Sequence, residues 1–187
     1  DVTDRKNIKK VINEIIIDFS NIDVLINNAG INQRCSFDEI SDEDWDSMLE
    51  TNLKGPFMLT QECLKIMNKG SRIINISSVA GQYHGPKTVH YAVSKAALNS
   101  LTKSTARYGA EKGIYINAIA PGLITTDQNK EEFESGAADK IINETTLLKR
   151  PGDIDDVSSA CLFLCDDKQN YMTGQVIALS GGAILDN

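Results

Sequence analysis

The residues best placed to do chemistry stand at Tyr91-Ala-Val-Ser-Lys95. In a helix, side chains four apart lie one above the other on the same face. The Lys95 ammonium is thereby set beside the Tyr91 phenol. A free tyrosine ionises near pH ~10, and a fixed positive charge close by favours phenolate and lowers that value. A tyrosine so poised passes a proton to or from a carbonyl or alcohol oxygen near neutral pH. Tyr and Lys four apart also occur as idle surface pairs, so the pair gains weight only from the elements that position it.

Those elements follow α/β grammar. Residues 4–19 read as a helix, with Ile8, Val11, Ile12, Ile15 and Phe19 on one face. Ile22-Asp-Val-Leu-Ile26 reads as a buried parallel strand. It ends in Asn27-Asn28-Ala29-Gly30. Loops at the carboxyl ends of strands carry the ligand in open α/β sheets, so this turn is expected to line a site. Ser41 caps a helix whose first turn is acidic, running through Trp45, Met48, Leu49, Leu53, Phe57, Leu64 and Met67. Pro56 lies inside it and has no N–H for the carbonyl of Asn52. A local kink, and a main-chain oxygen at Asn52 free to bind water, are expected there. Gly70-Ser71 breaks the helix before a strand over 72–76, with Ser77-Ser78 at its carboxyl end. The Tyr91 helix is rich in small residues (Ala92, Ser94, Ala96, Ala97), which suits close approach of another helix, including one from another subunit. It ends at Gly113. A strand over 114–119 is closed by Pro121-Gly122, a polar stretch over 125–146 has the length of a lid, and a helix from Gly152-Asp153 to Cys165 precedes a last strand, Val176-Ile-Ala-Leu179.

Composition excludes several classes. The chain has 187 residues, a hydrophobic content of 41% and a net charge of −7. That suits one globular domain spanning residues 1–187. The acidic balance disfavours nucleic acid as a partner. No apolar run approaches the roughly 18 residues that span a bilayer, and the acidic start is unlike a signal peptide. Cys35, Cys63, Cys161 and Cys165 form no C-x-x-C pair. Core packing is expected for Cys161 and Cys165, no metal site is expected, and a reducing, cytoplasmic setting follows. His84 and His90 flank the loop before Tyr91 and are weak candidates for substrate contact.

Taken in order, Asn27-Asn-Ala-Gly30, Ser77-Ser78, Tyr-x-x-x-Lys thirteen residues beyond Ser78, and Pro121-Gly122 after the next strand resemble the short-chain dehydrogenase/reductase family almost end to end. The resemblance implies a Rossmann-like doubly wound parallel sheet and an NAD- or NADP-dependent oxidoreductase acting on a carbonyl or secondary alcohol. It implies Tyr91 as general acid or base and Lys95 as the residue that lowers its pKa and holds the nicotinamide ribose. It assigns Ser78 to the substrate oxygen and Asn52 to a water relay through its main-chain carbonyl. Asn27, Ala29 and Gly30 correspond to the turn beside the adenosine ribose. Pro121, Gly122, Ile124 and Thr126 correspond to the segment on the nicotinamide carboxamide and phosphates, and Asp1 to the reader of the adenine amino group. A homodimer or homotetramer built on the Asn52 and Tyr91 helices is implied as well.

The sequence departs from the family in lacking the opening strand, its glycine-rich phosphate turn and the following strands. The expectation is a natural polypeptide longer than this chain, poor dinucleotide binding by these residues alone, and an exposed apolar edge at Ile22–Ile26. Ser180 stands where relatives carry Asp, with packing or assembly as the expected consequence. The body is similar to 3-oxoacyl-carrier-protein reductases and to sugar and alcohol dehydrogenases. Lys103 and Lys112 are candidates to face an acyl carrier protein, whereas the turn at Lys69–Arg72 is less basic than in those reductases. An acyl-thioester substrate and a sugar or polyol stay open. So does a catalytically inactive scaffold, against which the full Ser78, Tyr91, Lys95 and Asn52 set argues.

Overall fold

The computed structural model describes residues 1–83 and 87–185, save the side chain of Gln128. Helix α1 covers Arg5–Phe19. The Asp4 carboxylate caps it, accepting from the amides of Lys6 at 2.8 Å and Asn7 at 3.3 Å. Strand β1 is Val24–Asn27. The helix begun at Ser41 is three pieces in series: α2, Asp42–Leu49; a π-helical turn, Glu50–Lys54; and α3, Gly55–Cys63. Strand β2 is Arg72–Ile76, the 23-residue α4 is Val89–Glu111, and β3 is Tyr115–Pro121. The polar stretch over 125–146 holds two short helices, α5 at Lys130–Glu134 and α6 at Ala137–Thr145, joined through Gly136 at φ +74°. Helix α7, Ile154–Cys165, starts on a reciprocal cap between Asp153 and Asp156, and β4 is Val176–Leu179.

The four strands are all parallel and run β1-β2-β3-β4 across the sheet. Alternate residues face opposite sides, and each side has its own core. On one, Leu25, Ile73 and Ile116 pack with Ile8, Ile12, Met58, Leu64 and Ala106 from α1, α3 and α4. On the other, Ile74, Ile119 and Ile177 pack under α7 through Leu164, with Cys161 and Cys165 against them. The packing role expected for these two cysteines holds.

The sheet ends at β1, and the apolar edge expected there is present: Val24 and Ile26 are exposed. A groove of about 690 Å³ runs beside it, lined by Val11, Ile15, Phe19 and Leu59. Val11 and Phe19 therefore stay exposed although they share the stripe of buried Ile8 and Ile12. Ala92 and Ser94 are buried within the chain, so these small residues of α4 serve approach to α2 and the π turn. Among the described residues no helix is long and apolar enough to cross a membrane.

Candidate active site

Three strand ends and two helices, α4 and α7, converge on a cavity of about 600 Å³. Ser77 and Ser78 leave the carboxyl end of β2, and Ser78 Oγ caps the following turn by accepting from the Ala80 amide at 3.1 Å. That turn lies directly on α4. A Cβ on Gly81 would come within 2.8 Å of the Ala96 nitrogen, so only glycine permits this approach. The contact brings the Ser78 hydroxyl into hydrogen bonding with the Tyr91 phenol. One turn further along α4, Lys95 is 4% exposed and donates from Nζ to the Ile76 carbonyl at 2.8 Å.

The electrostatics differ from the sequence-based expectation. Burial pushes the Tyr91 phenol above its usual value, and the Ser78 hydrogen bond pulls back only part of the way. Burial also pushes Lys95 down to about 8. The geometry explains why Lys95 does not lower Tyr91 here. Its Nζ sits 5.7 Å from the centre of the phenol ring, over the face, and is drawn to the Ile76 carbonyl.

Asn52 sits in the π turn and is fully buried. Its side chain grips Ile31 at both main-chain groups, accepting from N and donating to O, each at 2.8 Å. It also donates to Ser94 Oγ at 3.1 Å, and Ser94 donates to the Tyr91 carbonyl at 2.7 Å. One side chain thus ties the loop after β1 to the first turn of α4. Residue spacing had pointed to the Asn52 carbonyl; the side-chain clamp needs Ile31 and Ser94 nearby, which spacing does not reveal. The kink expected at Pro56 is the π turn itself, in which the Gly55 amide reaches back to the Glu50 carbonyl.

The other expected site residues divide. Gly30, Pro121, Gly122, Ile124 and Thr126 line the cavity with Ser78, Tyr91 and Lys95. Asn27 turns its side chain into the sheet, donating to Asn75 Oδ1 at 2.7 Å, and Asn28 takes the place at the cavity wall. Ala29 is exposed. Asp1 lines the separate groove along α1, where its Oδ1 accepts from the Thr3 amide and hydroxyl. His90, considered for substrate contact, is fully buried with neither ring nitrogen hydrogen-bonded among the described residues, and it does not line the cavity. His84 lies outside the described residues. Asn129, Ile154, Val157, Ser158 and Cys161 also line the cavity. The α7 members were hidden in a stretch that reads only as a packing helix. Among the described residues no cluster of His, Cys, Asp or Glu could hold a metal.

A family model described as enoyl-(acyl carrier protein) reductase matches residues 1–183. A 3-oxoacyl-[acyl-carrier-protein] reductase of Thermotoga maritima is 38% identical over 190 residues, covering 98% of this chain and 75% of that protein. The chain belongs to the short-chain dehydrogenase/reductase family. Solved structures of this class superpose closely. One, a short-chain dehydrogenase/reductase described as glucose/ribitol dehydrogenase from Brucella melitensis, aligns at TM-score 0.94 and 30% identity over 100% of this chain and 75% of that one. A gluconate 5-dehydrogenase from Burkholderia cenocepacia in complex with NADP and tartrate gives 0.92 and 30%, over 98% of this chain and 72% of that one. The chain thus spans about three-quarters of the length of these relatives and is an NAD(P)-dependent oxidoreductase.

The residues present fit the nicotinamide half of such a cofactor. Lys95 is a buried ammonium with three N–H groups, of which one is committed to the Ile76 carbonyl. The rest suit a ribose diol. Gly30 and Gly122 keep side chains out of the cavity. A Cβ on Gly30 would lie 3.3 Å from Asn52 Oδ1 and 3.5 Å from Lys95 Nζ.

Proposed function

We propose that the protein interconverts a carbonyl compound and its secondary alcohol, with Ser78, Tyr91 and Lys95 as the catalytic set. The observation that carries this is the convergence of those three side chains on one cavity, with Ser78 hydrogen-bonded to Tyr91 and Lys95 one helical turn beyond. A bound nicotinamide supplies or accepts the hydride. Ser78 and Tyr91 donate hydrogen bonds to the substrate oxygen, where negative charge grows during reduction. Tyr91 then delivers its proton to that oxygen, and takes it back in oxidation. Lys95 holds the nicotinamide ribose through the N–H groups that its bond to the Ile76 carbonyl leaves free. Pro121, Gly122, Ile124 and Thr126 hold the nicotinamide end, while Gly30, with Asn27 and Ala29 through their main chain, borders the adenosine side. Asn52 positions both Ile31 and the Tyr91 turn, and its carbonyl serves a water in the proton path.

The reading extends outward from the site. Residues 125–147 act as the substrate lid over a single Rossmann-like domain. The relatives named for 3-oxoacyl-[acyl-carrier-protein] substrates make a 3-oxoacyl group one candidate, and those named for sugar and gluconate chemistry make a polyol or sugar the other. A homodimer or homotetramer forms through α3 and α4, whose outer faces expose Phe57, Val93 and Tyr108, and the protein works in the cytoplasm. Sedimentation that gives a clean monomer would remove the assembly from this reading.

The test of the chemistry is Tyr91→Phe in the complete protein. Turnover should fall by about three orders of magnitude, because the substrate oxygen loses both its proton donor and a hydrogen bond. Nucleotide affinity by calorimetry should stay within a fewfold. Retained turnover would remove Tyr91 as proton donor.

A further inference from the structure

Three successive residues at the end of β2 are bonded to one face of α4. The Ile76 carbonyl accepts from Lys95 Nζ at 2.8 Å, the Ser77 hydroxyl donates to Asn99 Oδ1 at 2.6 Å, and Ser78 hydrogen-bonds Tyr91. The helix residues stand at 91, 95 and 99, four apart and so on one face. Strand end and helix are thus matched over two turns. Ser77 and Asn99 are both buried, at 3% and 8% exposure. The Lys95 carbonyl also lies 3.3 Å from Ser77 Oγ, but a hydroxyl has one hydrogen and the shorter contact takes it. From the other side, the Ser77 amide donates to the Ile119 carbonyl at 2.7 Å.

Ser78, Tyr91 and Lys95 line the cavity, and each turns part of its hydrogen-bonding capacity to substrate or cofactor. Asn99 stands outside that lining. Its bond to Ser77 therefore stays in place while ligands come and go. The amide nitrogen of Asn99 faces the turn after Ser78: a Cβ on Gly81 would come within 3.0 Å of Asn99 Nδ2 and 2.8 Å of the Ala96 nitrogen. The Gly81 amide in turn donates to the Ser78 carbonyl at 3.0 Å. Asn99 thus meets the segment that carries Ser78 on both sides, at Ser77 and at Gly81. Without this acceptor the buried Ser77 hydroxyl keeps only its long contact to the Lys95 carbonyl. The strand end could then shift along α4, and reacting groups misplaced by about 1 Å lose much of their rate advantage.

We infer that Asn99 is a positioning residue: through Ser77 it fixes the height of Ser78 on α4, and so the reach of Ser78 to the Tyr91 oxygen and to the substrate oxygen held by both. It acts through Ser78 and touches neither substrate nor cofactor. This rests on the hydride-transfer reading above and adds a residue to its machinery.

The test uses the complete protein and two readouts. In the first, tyrosine is labelled with carbon-13 at Cζ, and the Tyr91 signal is recognised by its loss in Tyr91→Phe. At neutral pH its chemical shift reports the hydrogen bond at the phenol. Asn99→Leu removes the acceptor at similar volume and should move this signal in the direction that Ser78→Ala moves it. Combined with Ser78→Ala, it should move the signal no further. In the second, reduction of ethyl acetoacetate and dihydroxyacetone is followed through loss of NADPH or NADH. Asn99→Leu should lower kcat about tenfold or more, with nucleotide affinity by calorimetry within about threefold. In the Ser78→Ala protein it should cost no further turnover. A loss of the same size in both backgrounds, or a Tyr91 signal that stays in place, means a merely structural tie and overturns the inference. Where Asn99→Leu does not fold, Ser77→Ala carries the same test. Failure of the hydride-transfer reading looks different: neither ketone is reduced, or Ser78→Ala keeps full turnover. The Tyr91 signal then decides by itself for or against Asn99 as the residue that sets the Ser78–Tyr91 bond.

Discussion

Lys95 shows most plainly how a single residue sets fold and chemistry against each other. Its ammonium is buried with a main-chain carbonyl as partner and no carboxylate, and its pKa falls from 10.5 to about 8. The folded state therefore holds this proton less tightly than the unfolded chain does. Below pH 8 the protein carries the full cost of the buried charge. Between pH 8 and 10.5 the folded state releases the proton first, so this residue's contribution to stability rises with pH. Lys95→Met should accordingly raise the melting temperature of the ligand-free protein at pH 7. It should also reduce turnover and weaken nucleotide binding, since Lys95 serves both. A lower melting temperature would mean that the bond to Ile76 outweighs the cost of desolvation. Loss of turnover with unchanged nucleotide affinity would show that the two roles do not reside in one group.

At the scale of elements, the helix from Ser41 to Cys63 does more than cover the sheet. Its π turn carries one residue more than an α-helix would, and the surplus places Asn52 under Gly30 and against Ser94. Asn52→Ala would orphan both main-chain groups of Ile31. Urea denaturation should show a loss of about 2–4 kcal/mol, and proteolysis should find the 31–36 loop opened; a loss below about 1 kcal/mol would mean that other contacts hold that loop. Pro56 made the irregularity legible in advance, because a missing N–H is a property of one residue type. The four strands were legible for a similar reason: short β-branched runs ending in Gly, Ser or Asn leave little choice, and β4 falls at the expected residues. The inward turn of Asn27, the isolation of Asp1 and the Ser77–Asn99 bond were not. Each depends on which distant segment arrives alongside, and neither spacing nor composition records that. The two helices within 125–146 are not legible in the sequence because α5 and α6 are only five and nine residues long, too short for a stripe to stand out.

For the whole molecule, the surface that matters most is the open edge at β1. Val24 and Ile26 are exposed on a strand with unpaired main-chain groups, and Phe19 and Val11 extend the apolar surface along α1. Such an edge pairs readily with another chain. For these 187 residues in isolation, Val24→Lys should reduce light scattering on incubation and the binding of a hydrophobic dye, without lowering the melting temperature by more than a few degrees. Unchanged scattering would place the association elsewhere. The all-parallel sheet has a different consequence, one of time. No two neighbouring strands form a hairpin, so every pairing waits for a crossover to close, and such non-local contacts form slowly. Gly30, Asn52, Ser78, Tyr91 and Gly122 come from successive crossovers and strand ends, so no early folding nucleus contains the site. Refolding followed by the single tryptophan, Trp45, should therefore run ahead of refolding followed by nucleotide capture, with competence for hydride transfer arriving last.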